Sequence, residues 1–170
     1  SRGGKYIADC VTGAEGTGGD CSAASVYASG AGRVLVAFES AMTNLATVSA
    51  ATNVFLFDST TGHTTLLNQR VTPSATDAVS LGDGDARAPI VAPDGATVAF
   101  ESDATNLDVL RTDSNRKTDV FLVEVGQLAD GLVLPYRFSV SANEGGDGNG
   151  DSTRPVMGGF TYTSNFQVGF

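Results

Sequence analysis

Short runs of β-branched, aromatic and aliphatic residues recur along the chain, and polar turn sequences separate them. The clearest runs are six or seven residues long and occupy positions 34–40, 53–58, 97–102 and 119–125. Runs of this length and composition predict β-strands, and their loose alternation is typical of strands covered on both faces. An Ala-rich stretch at 41–52 lacks the apolar stripe of a helix, so we predict a loop there.

The strand pattern repeats with a period of about 65 residues. The phrase VAFESAMTNL at 36–45 returns as VAFESDATNL at 98–107, and TNVFL at 52–56 returns as TDVFL at 118–122. A Gly-Asp pair opens each copy, at 19–20, 84–85 and 150–151. Landmarks that share one period predict a single segment, 1–170, made of repeat units at approximately 19–83, 84–149 and 150–170, the last one partial.

The predicted strands follow the same order in each unit. We expect first strands at 25–28, 89–92 and 155–157, second strands at 34–40, 97–102 and 160–164, third strands at 53–58 and 119–125, and fourth strands at 64–70 and 132–141. Positions 5–10 align with a further fourth strand, and positions 166–170 would supply a third strand to the last unit. Repeated units of about four antiparallel strands are the sequence signature of β-propeller blades. The predicted fold is therefore all-β, with about three blades' worth of strands.

Three blades are too few to close a propeller ring, since propellers have about four to eight blades. An open stack exposes the faces of its blades and the edges of its strands, which favours association. We therefore expect the partners to be other protein subunits or copies of the chain itself.

The amino-acid sequence of the middle unit resembles the TolB-type WD-like propeller repeats. The resemblance rests on PDGATVAFES at 93–102, on DSN at 113–115 leading to DVFL at 119–122, and on GDS at 150–152 leading to RP at 154–155. These phrases are similar to those of a bacterial subgroup of long blades in exported proteins. The Pro-Asp-Gly turn is replaced by SGAG at 29–32 in the first unit and by GG at 158–159 in the third. The resemblance implies a propeller fold and an exported location (periplasmic, cell surface or secreted), but no particular activity.

The composition narrows the class of partner. The net charge is −9 and the 10 basic residues are spread thinly, so there is no basic stripe for a nucleic-acid backbone. No stretch approaches the ~20 apolar residues of a membrane-spanning helix. We therefore expect no nucleic-acid partner and no transmembrane segment.

Cys10 and Cys21 are the only cysteines, and the stretch between them is rich in glycine and can fold back on itself. A disulfide between them would contribute roughly 2–3 kcal/mol by the loop-closure model. No cluster of His, Cys and carboxylate residues offers a metal site instead, so we favour the disulfide over two buried free thiols. A disulfide would agree with export.

Asp113, Asn115 and Asp119 form the best candidate for a ligand site. Carboxylate and amide oxygens at positions i and i+2 of a tight turn are typical of calcium loops, so calcium is the one cofactor that the sequence indicates. The interpretation that we favour over calcium is an Asx-turn, in which the same side chains bind the backbone. The aligned stretch of the first unit keeps only Ser49 and Asn53.

A second acidic stretch, at 147–151, begins like an EF-hand loop. The last ligand position of such a loop would fall on Gly158, where a bidentate Glu is required, so the EF-hand interpretation fails. A partial counterpart lies one repeat earlier at 83–85, and this recurrence favours a structural turn.

Residues with catalytic chemistry are few. His63 is the only histidine and lies in a predicted hairpin turn, and the chain contains no Gly-x-Ser-x-Gly nucleophile motif. Glu39 and Glu101 are repeat-equivalent carboxylates, so we place them in different blades with a structural role. We predict no catalytic residue and no enzyme within this segment.

The leading hypothesis is a non-catalytic protein-interaction module built of β-propeller blades, as part of a larger exported or cell-envelope assembly. Two alternatives stay open. One is a calcium-stabilised structural component, and the other is the accessory propeller domain of an exported hydrolase.

Overall fold

The computed structural model describes residues 20–43, 45–48, 50–71, 79–108, 113–125, 137–139, 142–143, 146–158 and 167–169. Within these ranges all regular structure is β, with 14 strands and no helix, so the predicted all-β class is confirmed. The strands are β1 Cys21–Ala28, β2 Val34–Ser40, β3 Asn53–Asp58, β4 His63–Leu66, β5 Gln69–Val71, β6 Val79–Leu81, β7 Ala86–Val91, β8 Thr97–Ser102, β9 Asp119–Glu124, β10 Arg137–Ser139, β11 Ala142–Asn143, β12 Gly146–Asp147, β13 Val156–Gly158 and β14 Gln167–Gly169. This part of the chain contains no helix that is long and apolar enough to cross a membrane.

Two four-stranded antiparallel sheets form the centre of the described structure. The first sheet has the order β1-β2-β3-β4 and the second the order β7-β8-β9-β10, so neighbours in sequence are neighbours in space. The sheets share one register: Phe38 lies opposite Phe55 in the first, and Phe100 lies opposite Phe121 in the second. The two ring pairs stack with centroid distances of 5.7 Å and 5.9 Å. Phe38 and Phe100 therefore occupy equivalent places, as the repeat predicts.

The predicted bounds of β2, β3 and β8 are confirmed, but the fourth strand predicted at 64–70 is wrong in its second half. β4 ends at Leu66, and the chain then forms the separate hairpin of β5 and β6. The backbone pairing of β3 and β4 ends here, and the side chain of buried Asn68 binds β3 beyond that point. Its side chain accepts a hydrogen bond from the N–H of Val54 at 3.0 Å and donates one to Asn53 Oδ1 at 2.9 Å.

The third unit departs from the predicted strand order. β13 pairs with β14, so the segment predicted as a third strand at 166–170 lies directly beside a first strand. In both four-stranded sheets that place belongs to the second strand. The strands predicted at 160–164 and 5–10 lie outside the described residues, and the strand predicted at 132–141 is described only at 137–139, as β10.

The first strand of each unit begins with the same irregular backbone. Both β1 and β7 shift register near their start. A residue with positive φ lies at each shift, Ala23 at 47° and Ala88 at 50°, and Arg154 has a φ of 58° just before β13. These residues are 65 and 66 positions apart, so the third unit begins as the other two do. Residues with a Cβ seldom adopt this conformation, and its recurrence at the register shifts of β1 and β7 marks a shared β-bulge geometry in the first two units.

The two four-stranded sheets pack face to face. β7 contacts β1, β2 and β3, and β13 contacts β7, so the first strands of successive units lie against one another. The described sheets form a stack that does not close into a ring. The opposite face of the first sheet is covered by the loop after β2. The core between the sheets contains Leu35, Ala37, Val54 and Leu56 from the first and Val98, Phe100, Phe121 and Val123 from the second, and the outer core contains Val36, Phe38, Phe55, Met42, Leu45 and Val48.

Candidate functional site

An aspartate at the start of the second unit binds the loop that enters the third strand of the first unit. Asp85 Oδ1 accepts hydrogen bonds from the backbone N–H groups of Ala51 and Thr52, each at 3.0 Å. The N–H of Ala86 donates in return to the carbonyl of Thr52 at 3.0 Å. We call this set of hydrogen bonds the inter-unit latch.

The inter-unit latch recurs one unit later, 66 residues along the chain. Asp151 Oδ1 accepts a hydrogen bond from the N–H of Thr118 at 3.3 Å, and the N–H of Ser152 donates to the Thr118 carbonyl at 2.8 Å. The aspartate of the Gly-Asp signal therefore ties each unit to the one before it. The Gly-Asp signal is visible in the sequence but its partner is not, although a spacing of 33 residues from Thr to Asp occurs in both latches.

The glycine of the same signal has a different role in the two units. A Cβ at position 84 would lie 2.5 Å from the amide nitrogen of Ala104, so only glycine fits there. A Cβ at Gly150 would meet nothing within 4 Å. The close approach of backbones at Gly84 is therefore specific to the second unit.

The repeated Thr-Asn-Leu phrase of the second unit holds the chain just before the latch. Asp83 accepts hydrogen bonds from the N–H of Thr105 at 2.6 Å and from its hydroxyl at 2.7 Å. Asn106 Nδ2 donates to the carbonyl of Leu81 at 2.8 Å, and Asn106 Oδ1 accepts from the N–H of Asp83 at 3.2 Å. Leu107 is buried in the core between the sheets. The phrase thus fixes the segment that delivers Asp85.

First strands of successive units also touch directly. The N–H of Val91 in β7 donates to the hydroxyl of Ser25 in β1 at 3.0 Å. The ring of Tyr27 packs against the core between the sheets and lies on Gly95, where an added Cβ would clash with it. Gly95 has a φ of 70°, a conformation that favours glycine. Glycine at this position therefore permits both the turn and the close packing of the Tyr27 ring on it.

Glu39 and Glu101 occupy equivalent places in separate sheets, opposite Val54 and Val120 respectively. Buried Glu101 accepts a hydrogen bond from the N–H of Arg154, the positive-φ residue just before β13. This contact joins the second unit to the third. The geometry gives Glu101 a positioning role at the junction.

Arg87 forms the main ion pair beside that junction. Its guanidinium donates to both carboxylate oxygens of Asp103 at 2.8 Å, and its Nε lies 3.5 Å from Glu101. The hydroxyl of Thr118 donates to Asp103 at 2.6 Å. The hydrogen bonds to Asp103 raise the pKa of Arg87 above its ordinary value and outweigh burial, which lowers it. Arg87 is therefore a fixed cation within this network.

The first sheet has its own ion pair, between Arg33 and Asp58. Arg33 donates to Asp58 Oδ2 from Nε at 3.1 Å and from a terminal nitrogen at 2.7 Å. Burial raises the pKa of Asp58, but the hydrogen bonds from Arg33 and from the N–H of Thr60 lower it, and the result lies below the ordinary value. The carboxylate is thus held in its charged form.

The predicted calcium ligands Asp113, Asn115 and Asp119 lie in and after the loop before β9. Asp113 Oδ1 accepts hydrogen bonds from the N–H groups of Asn115 and Arg116, each at 2.9 Å, which is an Asx-turn. Asn115 Oδ1 accepts from the N–H of Lys117 at 2.6 Å, and Asp119 is buried at the start of β9. Among the described residues no three His, Cys, Asp or Glu side chains gather as a metal site. Calcium at these residues stays a prediction.

The second acidic stretch and the cysteines add structural contacts. Gly148 accepts a hydrogen bond at its carbonyl from Asn115 Nδ2, and Asp151 belongs to the inter-unit latch. Cys21 packs against the outer core of the first sheet. Cys10 lies outside the described residues, so the Cys10–Cys21 disulfide stays a prediction.

Asp85, Glu101 and Asp151 each accept hydrogen bonds from a neighbouring unit. Arg87 and Asp103 form their contacts within the second unit. No family model matches the chain, and no curated protein or solved structure matches it either. The candidate functional site is the surface through which successive units stack.

Proposed function

We propose that this chain is a non-catalytic protein-interaction module built of β-propeller blades, and that it works within a larger exported or cell-envelope assembly. The observation that carries the proposal is the inter-unit latch, which appears at two successive junctions and uses the equivalent residues Thr52 and Thr118 in both. A contact that recurs with the repeat indicates that each unit stacks on the next in the same way. Blades of a propeller associate through such repeated contacts.

The use of the charged side chains supports a role without catalysis. A catalytic acid, base or nucleophile needs a free position beside its substrate. Asp85 and Asp103 instead accept hydrogen bonds from neighbouring loops, and Glu101 accepts one from the next unit. These groups stabilise the fold, so the exposed faces of the sheets are the surfaces that would bind a partner protein.

Export is part of the proposal. It is supported by the resemblance to exported propeller repeats and by the predicted Cys10–Cys21 disulfide, which would persist only in an oxidising compartment.

Site-specific photo-cross-linking tests the interaction role. A photoreactive residue at Val26, exposed on β1, should form adducts with protein when the chain is placed in an envelope extract. The matched control is the same residue at Ala96, which is exposed in the turn between β7 and β8. Adducts at position 26 in clear excess over position 96 would support the proposal. Equal, background yields at both positions would contradict it.

A further inference from the structure

Two large apolar side chains are exposed among the described residues, and they lie at opposite ends of the stack. Val26 on β1 in the first sheet and Val156 on β13 in the third unit are each 59% exposed. An exposed valine keeps most of its apolar surface in water, and burial of that surface would be favourable. Because one such side chain lies at each end, each end of the stack offers an apolar position that a binding partner could cover.

The repeat shows what Val26 would meet. The positive-φ residues align Ala23 with Ala88, which makes Val26 the equivalent of Val91. Val91 is 7% exposed and belongs to the core between the two sheets, where it faces the preceding unit. Val26 therefore holds the position that, one unit later, is buried against a preceding unit.

Val156 holds the complementary position. Arg154 aligns with Ala88 and Ala23, so Val156 is the equivalent of Ser25 in the first unit. At the junction of the first and second units, Ser25 contacts Val91 through the 3.0 Å hydrogen bond to its N–H. The equivalent contact between the third unit of one stack and the first unit of another would place Val156 against Val26.

We propose that copies of this chain associate head to tail, with Val156 of one copy packed against Val26 of the next. The proposal rests on the proposed function, because it extends the stacking of blades from one chain to two. A second copy is the occupant because it continues the interface that the units already form within the chain and brings both halves of the apolar pair. Asp20, which is exposed, aligns with Asp85 and Asp151 and stands at the latch position of the same surface.

A head-to-tail contact makes a prediction that a two-fold symmetric dimer does not. Each copy uses two different surfaces, so association continues into rings or filaments unless one surface is blocked. V26D blocks the first surface and V156D blocks the second. A mixture of the two variants retains one intact surface on each chain, and these two surfaces are complementary.

Sedimentation velocity over a range of concentrations tests the proposal. The wild-type chain should form species larger than a dimer, each single variant should be monomeric, and an equimolar mixture of V26D and V156D should form a heterodimer and stop there. A96D, at an exposed turn, is the matched control and should associate like the wild type. Circular dichroism spectra of each variant should match the wild type, since both valines are exposed. Melting curves should match only at concentrations too low for association, because association stabilises the folded wild type.

A wild-type chain that stays monomeric, or a V26D–V156D mixture that does not dimerise, would overturn head-to-tail association. The photo-cross-link at position 26 tests the same contact in a chain that keeps its native Val156. Its adduct in the purified protein should map to residues 155–158 of a second copy. Absence of this adduct in the purified protein, together with an adduct to a different protein in the envelope extract, would overturn this inference while still supporting the interaction role.

Discussion

The first strands of the two four-stranded sheets have the same bulge and the same pairing, yet β1 is mostly exposed, whereas β7 has no exposed residue and half of its residues are buried. β7 lies between neighbours, since it contacts the first sheet and also β13. The equivalent residues Val26 and Val91 are 59% and 7% exposed. Burial of a first strand is therefore decided by the neighbouring unit, and not by the sequence of the strand alone.

The two sheets also differ in their polar contacts. Arg87 and Asp103 form an ion pair in the second sheet, whereas Ser22 and Ala41 stand at the equivalent positions in the first. The ion pair lies beside the bulge that meets the third unit. Each sheet thus carries an ion pair that the other lacks, and that of the second sheet lies near its contact with the third unit.

The largest expected effect is a cavity in the core between the sheets. Phe100 is fully buried there, whereas its equivalent Phe38 lies in the outer core of the first sheet. Truncation of a core Phe costs about 3–5 kcal/mol, and we expect Phe100→Ala near the upper end and Phe38→Ala near the lower end. Urea unfolding measures both free energies. A cost for Phe38→Ala that equals or exceeds that for Phe100→Ala would contradict the ranking of the two cores.

Gly84 and Gly150 provide a matched pair with the next largest effect. The Cβ of Gly84→Ala would collide with the backbone at residues 103–104, so we expect a loss of about 1–3 kcal/mol. Gly150→Ala should be nearly neutral because its Cβ would meet open space. Melting temperatures of the two variants compare them directly. Equal destabilisation would mean that the close approach at Gly84 does not exist in solution.

The two latches should differ in strength. Asp85 accepts two backbone N–H groups, whereas Asp151 accepts one at a longer distance. We expect Asp85→Ala to cost about 1–2 kcal/mol and Asp151→Ala less. Asp94→Ala is the control, because Asp94 accepts only a local hydrogen bond from Ala96 in its own turn. Chemical unfolding should rank the three variants in that order, and a cost for Asp94→Ala as large as that for Asp85→Ala would remove the special role of the latch.

The smallest effect concerns pH and the first sheet alone. The lowered pKa of Asp58 means that its pairing with Arg33 stabilises the fold above the unfolded carboxyl pKa of about 3.9 and is lost as pH falls through the folded value. Arg33→Gln should therefore cost about 1 kcal/mol or less at pH 7, and the difference from wild type should shrink towards pH 3. Gly95 and Glu124 stand at the equivalent positions of the second sheet, so it lacks this pair. Unfolding at both pH values measures the difference, and a difference that grows in acid would contradict the sign.

The sequence predicted the strands whose structure depends on their own side chains. β2, β3 and β8 are continuous apolar runs, and their bounds were predicted correctly. The hairpin of β5 and β6 was missed because it depends on Asn68, whose partners lie 14 and 15 residues earlier. A polar residue inside a strand-like run has several possible partners, and only the folded chain selects one.

The candidate site was only half predictable for the same reason. The Gly-Asp signal located Asp85 and Asp151, but their partners are backbone N–H groups, which every residue except proline carries. The signal also looks identical at Gly84 and Gly150, although the surroundings of the two glycines differ. Repeats therefore reveal which residues matter to a junction, and geometry is needed to show how.

Amide hydrogen exchange at the junctions tests most directly the claim that the units stack through a repeated latch. The N–H groups of Thr52 and Ala86 at the first junction, and of Thr118 and Ser152 at the second, are all hydrogen-bonded across units. We predict that all four are protected in the native protein, and that Asp85→Ala removes protection at Thr52 while Thr118 keeps it. Rapid exchange of these four groups in a chain whose strands remain protected would contradict the account.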